Sequence, residues 1–178
     1  MVLKQEVKAR KYLFLPRRKV PITVAEIDLL DWMAREHRER SYQSGNGHDL
    51  KVRKLFYDGR TRRCCKEDIN DLSTIILTPE LQELYRRLSD ESFELKELQF
   101  NYMIEGDFIN PHTDRGRFAS IGCVIGLTNY YRGGHFHISR GSTLRIGRGD
   151  LLLIKPPREH RVYPVTSGER ITLAYWFY

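Results

Sequence analysis

The sequence predicts an α+β fold that is mainly β: a double-sheet jelly roll with N-terminal helices packed on one sheet. Three observations predict it. The length of 178 residues suits one compact domain, the patterns before about residue 96 are helical, and the period after it is two. We therefore expect a single domain over residues 1–178, with residues 1–96 as a helical support and residues 97–178 as the jelly-roll core.

The first helix is predicted from a capping box, Thr23-Val-Ala-Glu26. The Thr23 hydroxyl can accept a free first-turn N–H while Glu26 reaches back to the start of the helix. An apolar stripe at three-residue steps should follow and end near Arg40. Its members are Val24, Ile27, Leu30 and Met33.

A second helix should begin at Thr78-Pro79, because proline suits the first turn of a helix. Its apolar face would be formed by Leu81, Leu84, Tyr85 and Leu88. Residues 43–66, between the two helices, are polar and basic and contain glycine, so we expect a loop or an edge strand there.

Eight short strands are predicted after residue 96, separated by Gly, Pro, Asn and Ser. Short strands in this number, packed against two helices, favour a jelly roll. The predicted ranges are 97–103, 107–111, 119–127, 134–138, 143–147, 149–155, 159–165 and 169–177.

The net charge of +7 is unevenly spread along the chain. Residues 1–20 and residues 50–66 are both strongly basic, and each stretch contains a single acidic residue. Such stretches can hold an acidic partner, such as nucleic acid, an anionic carrier protein or a small acid, or can be a solvated surface.

The cysteines and the apolar runs point to a reducing, cytoplasmic setting without a membrane span. Cys64, Cys65 and Cys123 are odd in number and two are adjacent, which suits neither a disulfide framework nor a zinc site. The apolar run Leu151–Ile154 is far shorter than the ~20 residues of a membrane helix, and the first ten residues do not resemble a signal peptide.

The sharpest local feature is Pro111-His112-Thr113-Asp114. Side chains two residues apart on a strand face the same way, so His112 and Asp114 can meet one ion. A third ligand is needed, and His160 is the candidate. Two imidazoles and one carboxylate form the facial triad of non-haem Fe(II) oxygenases, which leaves positions for a bidentate oxo-acid and O₂. Alone, a His-x-Asp spacing is a weak signal.

Arg170 and Thr172 strengthen this interpretation. They should share one face of a strand that follows His160 closely. A guanidinium can bind a carboxylate through two parallel hydrogen bonds, and the Thr172 hydroxyl can add another. Pairing of Arg170 with an acidic residue on a neighbouring strand is the structural alternative.

The chain resembles the 2-oxoglutarate- and Fe(II)-dependent oxygenases, most closely their prolyl 4-hydroxylase-like branch. The resemblance covers roughly residues 97–178 and rests on the specific block from His160 to Arg170, His-Arg-Val-Tyr-Pro-Val-Thr-Ser-Gly-Glu-Arg. Weaker matches are Gly106-x-Phe108, Gly133-Gly134 and Gly149-Asp150.

This resemblance implies a double-stranded β-helix core in which His112, Asp114 and His160 hold iron. It further implies that Arg170 and Thr172 bind the C5 carboxylate of 2-oxoglutarate. The implied cofactors are Fe(II), 2-oxoglutarate as cosubstrate and O₂, with ascorbate as a further candidate.

The sequence departs from the branch at two positions. Met103 stands where the branch commonly has a Tyr nine residues before the first His, to help bind 2-oxoglutarate. Asn101 shares a face with Met103 and is a candidate replacement donor, whereas Tyr102 should face the other way. His135 follows Gly134 where the branch usually has an acidic residue, and it is a candidate substrate contact.

Several other side chains are expected to have structural rather than catalytic roles. His135 and His137 alternate onto one face, as in the His-x-His of cupin-like metal sites, but that alternative leaves the His160–Arg170 block unexplained. We expect His37 on the surface, and Tyr175 and Trp176 as the core and flank of the last strand without chemistry.

The predicted function is a 2-oxoglutarate- and Fe(II)-dependent dioxygenase that hydroxylates an amino acid, a peptide or a similar small metabolite and releases succinate and CO₂. Asp114 favours hydroxylation over halogenation, because related iron halogenases lack this carboxylate. The alternatives are a nucleic-acid oxidative demethylase of the same superfamily, motivated by the basic stretches, and a non-catalytic, cupin-like jelly-roll binding module. The oligomeric state is left open.

Overall fold

The computed structural model describes residues 12–20, 22–44, 50–58, 63–64, 79, 83, 86, 95–114, 121–154 and 158–177. Its elements in chain order are β1 (Tyr12–Leu15), α1 (Val24–Glu36), β2 (Tyr42–Ser44), β3 (Leu50–Asp58), β4 (Arg63–Cys64), β5 (Leu95–Met103), β6 (Phe108–His112), β7 (Ile121–Gly126), β8 (Tyr131–Gly133), β9 (Phe136–Ile138), β10 (Thr143–Leu144), β11 (Leu151–Ile154), β12 (His160–Val162), β13 (Val165–Gly168) and β14 (Arg170–Phe177). Short 3-10 turns lie at Arg17–Lys19 and Arg38–Arg40.

The strands form two antiparallel layers. The major sheet has the order β1-β11-β7-β14-β5-β3 and the minor sheet the order β6-β12-β9-β10, while β13 and β8 form a separate pair. The two layers are continuous through β3, which pairs with β5 along residues 53–58 and with β6 at Leu50 and Lys51. The predicted double-stranded β-helix is confirmed.

Helix α1 covers the outer face of the major sheet. Its buried residues are Ile27, Leu30, Met33 and Ala34, and they belong to one apolar cluster with Leu98, Phe100, Ile171, Leu173 and Tyr175 of β5 and β14. Each fully buried aliphatic side chain of this kind stabilises the fold by about 1.5–3 kcal/mol. The Tyr102 hydroxyl donates to the carbonyl of Ala34 at 2.5 Å, one of the carbonyls in the last turn that lack a helical partner.

The capping box is confirmed, and the end of the helix is earlier than predicted. Glu26 N donates to Thr23 Oγ1 at 3.2 Å, and Thr23 N donates to Glu26 Oε2 at 2.7 Å. The helix ends at Glu36, and Val24 is 65% exposed. The buried face therefore begins one turn later than the apolar stripe suggested.

The N-terminal part contains more strand than the sequence predicted. Within residues 43–66, β3 is an interior strand with partners on both sides rather than a loop or an edge. Pro79, Glu83 and Arg86 are helical, but the predicted apolar face of that second helix lies outside the described residues. His37 is buried rather than exposed.

The register of β14 decides which side chains enter the space between the layers. Arg170, Thr172, Ala174 and Trp176 point inward, while Ile171, Leu173 and Tyr175 join the cluster under α1. On β5, Met103, Asn101 and Gln99 lie opposite Arg170, Thr172 and Ala174. A second apolar cluster, which includes Phe136, Ile138, Leu152 and Val162, fills the rest of the interior.

Candidate active site

Two histidines face each other from neighbouring strands of the minor sheet. His112 ends β6, His160 begins β12, and the two are partners in the antiparallel register. Their ring centroids are 4.3 Å apart. Asp114 brings Oδ1 to 3.9 Å from His112 Nε2 and Oδ2 to 3.7 Å from His160 Nε2. Each of the three residues offers a ligand atom within 4.8 Å of the others, a grouping that no other His, Cys, Asp or Glu in the described ranges forms.

Backbone carbonyls hold the Nδ1 atoms of both rings. His112 Nδ1 lies 2.9 Å from the carbonyl oxygen of Asn110, and His160 Nδ1 lies 3.0 Å from that of Arg158. A carbonyl oxygen only accepts, so each Nδ1 must carry the hydrogen and donate. In a neutral ring with this tautomer, Nε2 carries the lone pair and is the atom that would bind a metal ion, the arrangement usual for ligating histidines.

The donor set fits a first-row metal ion. Bonds from such ions to imidazole and carboxylate are about 2.0–2.2 Å long, so two ligand atoms of one ion are at most about 4.4 Å apart. The His–Asp distances of 3.9 and 3.7 Å are within this outer limit, but they exceed the ~3 Å between donors at right angles, so the side chains would draw together around an ion. Two imidazoles and one carboxylate suit non-haem Fe(II), and the donor types therefore fit the predicted iron site.

Trp176 contacts the candidate ligand Asp114. The sequence analysis did not predict this contact. The indole Nε1 donates to Asp114 Oδ2 at 3.2 Å, and both residues are buried. The available signal was the alternation along β14, which places residue 176 on the same face as Arg170 and Thr172.

Arg170 is a buried cation without an acidic partner in the described part of the chain. Its Nη1 lies 3.4 Å from Thr172 Oγ1 and 3.5 Å from Met103 Sδ, while its Nε has no hydrogen-bond partner. The neighbouring Glu169 instead pairs with Arg38 at 2.6 Å. The structural alternative, a strand-to-strand ion pair of Arg170, is therefore absent among these residues.

Burial lowers the pKa of Arg170, because a low-dielectric surrounding disfavours the charged guanidinium. Interaction with Tyr131 opposes this shift but does not cancel it. A buried charge without a counter-ion is strongly unfavourable. The site thus fits an anionic ligand, such as the distal carboxylate of 2-oxoglutarate.

One cavity connects these groups. Its volume is about 420 Å³, and its wall joins the candidate ligands to Arg170 and Thr172. The lining residues are Gln99, Asn101, Ile109, Asn110, Pro111, His112, Asp114, Val124, Phe136, His160, Val162, Arg170, Thr172, Ala174 and Trp176. The ring of Phe136 stacks on His160 with centroids 5.1 Å apart.

Asn101 lies in this wall opposite Thr172, and Tyr102 faces the other way, toward α1. Gln99, which the sequence interpretation did not single out, also lines the cavity. Met103, in the position of the usual Tyr, contacts Arg170 through sulfur instead of a hydroxyl.

His135 is not part of the cavity lining. It directly precedes β9, in which Phe136 and Ile138 point inward, and is only partly buried. This placement gives no support to a substrate contact by His135. His137 Nδ1 lies 2.9 Å from Thr143 Oγ1, and His135 and His137 belong to no ligand group of three in the described residues, which disfavours the cupin-like alternative.

The two basic stretches lie mostly outside the described side chains, so their role stays a prediction. No helix in the described part of the chain combines the length and apolar character needed to cross a membrane.

Comparisons with known proteins agree with this geometry. Residues 98–178 match the sequence model of the 2OG-Fe(II) oxygenase superfamily. None of the curated protein sequences matches the chain.

Three solved structures illustrate the shared fold. An oxidoreductase of the 2OG-Fe(II) oxygenase family from Burkholderia pseudomallei is 18% identical with a TM-score of 0.71, covering 98% of this chain and 88% of its own. A prolyl-4-hydroxylase from Pseudomonas putida is 17% identical with a TM-score of 0.65, covering 98% and 95%. The epimerase SnoN of nogalamycin biosynthesis, solved with Fe³⁺, α-ketoglutarate and a nogalamycin compound, is 13% identical with a TM-score of 0.67, covering 98% and 83%.

The prolyl 4-hydroxylase-like architecture inferred from the sequence is thus confirmed at the level of fold. Fe(II) and 2-oxoglutarate are the cofactors of this class of enzyme, with O₂ as oxidant. Residues 98–178, which contain the His–Asp–His group and Arg170, thus match the 2OG-Fe(II) oxygenase superfamily in both sequence pattern and fold.

Proposed function

We propose that this protein is a hydroxylase that uses Fe(II) and 2-oxoglutarate to oxidise an amino acid, a peptide or a similar small metabolite. In this proposal His112, Asp114 and His160 hold the iron, and Arg170 with Thr172 holds the C5 carboxylate of 2-oxoglutarate. The observation that carries it is the joint position of these groups: a candidate three-ligand cluster and a buried cation with no acidic partner among the described residues line one cavity.

Bound iron supplies the oxidising chemistry, in which one O₂ and one 2-oxoglutarate give succinate and CO₂ while a substrate C–H becomes C–OH. The residues of the chain supply placement. The Nδ1 atoms of His112 and His160 donate to backbone carbonyls, so Nε2 is the atom that each neutral ring offers to the iron. Arg170 orients the cosubstrate by a charge-assisted pair of hydrogen bonds, and the apolar walls, such as Val124 and Val162, limit the access of water.

The size of the cavity supports a small substrate group. About 420 Å³ lies in the range of small-molecule sites, and 2-oxoglutarate must occupy part of it. The remaining space suits one amino-acid side chain or a similar group. The Pseudomonas putida relative, which is named a prolyl-4-hydroxylase, is in keeping with a peptide or amino-acid substrate. Among the described residues, no observation favours the nucleic-acid demethylase over this function.

The test is an anaerobic titration of the full chain with Fe(II) and then 2-oxoglutarate. We expect the visible metal-to-ligand charge-transfer band of a chelated oxo-acid at one equivalent of each. Amino acids and peptides are then screened in air for stimulated release of succinate. Absence of the band contradicts the iron and cosubstrate roles. Stimulation by methylated oligonucleotides alone, with binding that weakens steeply as salt rises, supports the demethylase instead.

A further inference from the structure

We propose that Trp176 is a positioning residue that keeps Asp114 bound to the metal through a single carboxylate oxygen. This inference rests on the proposed function, because it assumes that Asp114 is a ligand. The starting observation is the 3.2 Å hydrogen bond from Trp176 Nε1 to Asp114 Oδ2.

This hydrogen bond restrains the orientation of the Asp114 carboxylate. Indole Nε1–H can only donate, and a bond to a carboxylate is stronger than one between neutral groups. Trp176 is 6% exposed and Asp114 is 7% exposed, so little water competes for either atom. Oδ2 also lies 3.7 Å from His160 Nε2, so both oxygens face the histidines, and the indole bond occupies a lone pair of one of them. With Oδ2 held in this way the carboxylate is restrained, and Oδ1 remains on the side of His112 Nε2.

This restraint matters for the number of open positions on the metal. Carboxylates bind metal ions through one oxygen or through two. A facial triad leaves three positions open only when its carboxylate takes one. The oxo-acid needs two and O₂ needs the third, so an Asp114 bound through both oxygens competes with the cosubstrate.

The neighbouring strand makes room for the indole. Gly122 of β7 is the register partner of Trp176. A Cβ atom at position 122 would lie 3.1 Å from Trp176 Nε1 and 3.3 Å from Cδ1. Glycine at this position therefore leaves room for the N–H edge of the indole, which donates to Asp114, and a side chain there would push the indole away.

A purely structural role for Trp176 makes a different prediction. If the indole only fills space, its loss lowers the stability of the apoprotein or weakens binding of the metal and of 2-oxoglutarate together. If it restrains Asp114, its loss affects 2-oxoglutarate selectively, because the freed oxygen competes for a position that the oxo-acid needs.

The experiment compares Trp176→Phe with Trp32→Phe, a matched control on α1 in which the replaced indole is 54% exposed. Fe(II) affinity is measured anaerobically by competition with a chelating dye, and 2-oxoglutarate affinity of the iron-loaded protein by the charge-transfer band. For Trp176→Phe we expect the 2-oxoglutarate Kd to rise about 10-fold, the scale of one lost hydrogen bond to a charged group, with a smaller change in the Fe(II) affinity of the protein without 2-oxoglutarate. An unchanged 2-oxoglutarate Kd, or an equal loss of Fe(II) affinity, overturns the inference.

Two further variants separate the hydrogen bond from packing. Benzothienylalanine at position 176, in the Trp32→Phe background, keeps the size of the ring but replaces N–H by sulfur, and should reproduce the effect of Trp176→Phe. Gly122→Ala should shift the indole and weaken 2-oxoglutarate binding in the same direction. Wild-type affinity for 2-oxoglutarate in both variants contradicts the positioning role of Trp176 and leaves the proposed function intact. Absence of the charge-transfer band in the wild-type protein contradicts the proposed function itself.

Discussion

His112 and His160 are direct partners across the β6–β12 ladder, although 47 residues of sequence separate them. Pairing of the two strands fixes the approach of the two imidazoles before any metal binds. Each ring is further held by the carbonyl two residues before it. The two candidate nitrogen ligands are thus part of the sheet itself, whereas the carboxylate of Asp114 lies just beyond the end of β6.

Asp114→Ala should abolish both tight Fe(II) binding and turnover. Two imidazoles remain, but the only anionic member of the cluster is lost. Iron content after anaerobic loading and succinate release measure the two effects. Glu105→Ala, at an exposed carboxylate in the β5–β6 turn, is the control and should keep both. Retention of full turnover in the Asp114 variant contradicts the assigned role.

Arg170→Met should separate ligand binding from stability. Loss of a charge-assisted hydrogen bond is worth about 1.5–3 kcal/mol, so 2-oxoglutarate affinity should fall about 10- to 100-fold. The apoprotein should be as stable as the wild type or more stable, because a buried cation without an acidic partner in the described ranges is replaced by an apolar chain of similar length. Thermal unfolding with and without 2-oxoglutarate checks both, with the exposed Arg132→Met as control. A large loss of apoprotein stability would show that Arg170 has a structural counter-ion.

Tyr102→Phe should destabilise the protein without affecting the cavity. Its hydroxyl donates to the Ala34 carbonyl at the end of α1, and an unsatisfied buried carbonyl costs about 1–3 kcal/mol. Urea unfolding measures the change, and Tyr130→Phe, at a side chain 90% exposed, is the control. Since Tyr102 faces away from the inner layer, 2-oxoglutarate affinity should stay at the wild-type value. A loss of that affinity would indicate that α1 and the cavity are coupled.

Cys123 should make the protein less stable at alkaline pH. Burial raises the pKa of its thiol, and a hydrogen bond with Tyr175 only partly opposes this. The unfolded thiol loses its proton above pH ~8.5 while the folded one keeps it, so the unfolded state is favoured by about 1.4 kcal/mol for each further pH unit. Below pH ~8.5 the contribution of the Cys123 thiol to the free energy of unfolding does not change with pH.

The measurement is urea unfolding of wild type and Cys123→Ala at pH 8 and pH 10. The wild type should lose more stability over this interval than the variant. An equal loss in the two proteins would mean that Cys123 ionises in the folded state, and rapid alkylation of the native thiol would show the same directly.

The sequence predicted most of what depends on strong local signals. The capping box at Thr23, the period-two strands after residue 96 and the block from His160 to Arg170 all specify structure over a few neighbouring residues. Alternation alone placed Asn101 and Thr172 on cavity-facing strand faces and Tyr102 on the opposite face.

What escaped prediction depends on pairing between distant segments. The charged stretch that forms β3 does not look like an interior strand, and it becomes one because β5 and β6 supply its partners. The bond from Trp176 to Asp114 joins residues 62 positions apart, so no local pattern shows it. His37 is polar and follows an amphipathic helix, yet it is buried where the helix ends.

The continuity of the two layers through β3 has a mechanical consequence. That strand joins the two sheets through main-chain hydrogen bonds along one side of the sandwich. On the far side, the described contacts between β1 and the minor sheet are made by side chains: the Tyr12 and Ser142 hydroxyls are 2.9 Å apart, and Tyr12 and Phe14 pack against the inner apolar cluster. A ladder of main-chain bonds opens only cooperatively, whereas side-chain contacts can separate one at a time, so we expect local opening of the sandwich to begin on the Tyr12 side.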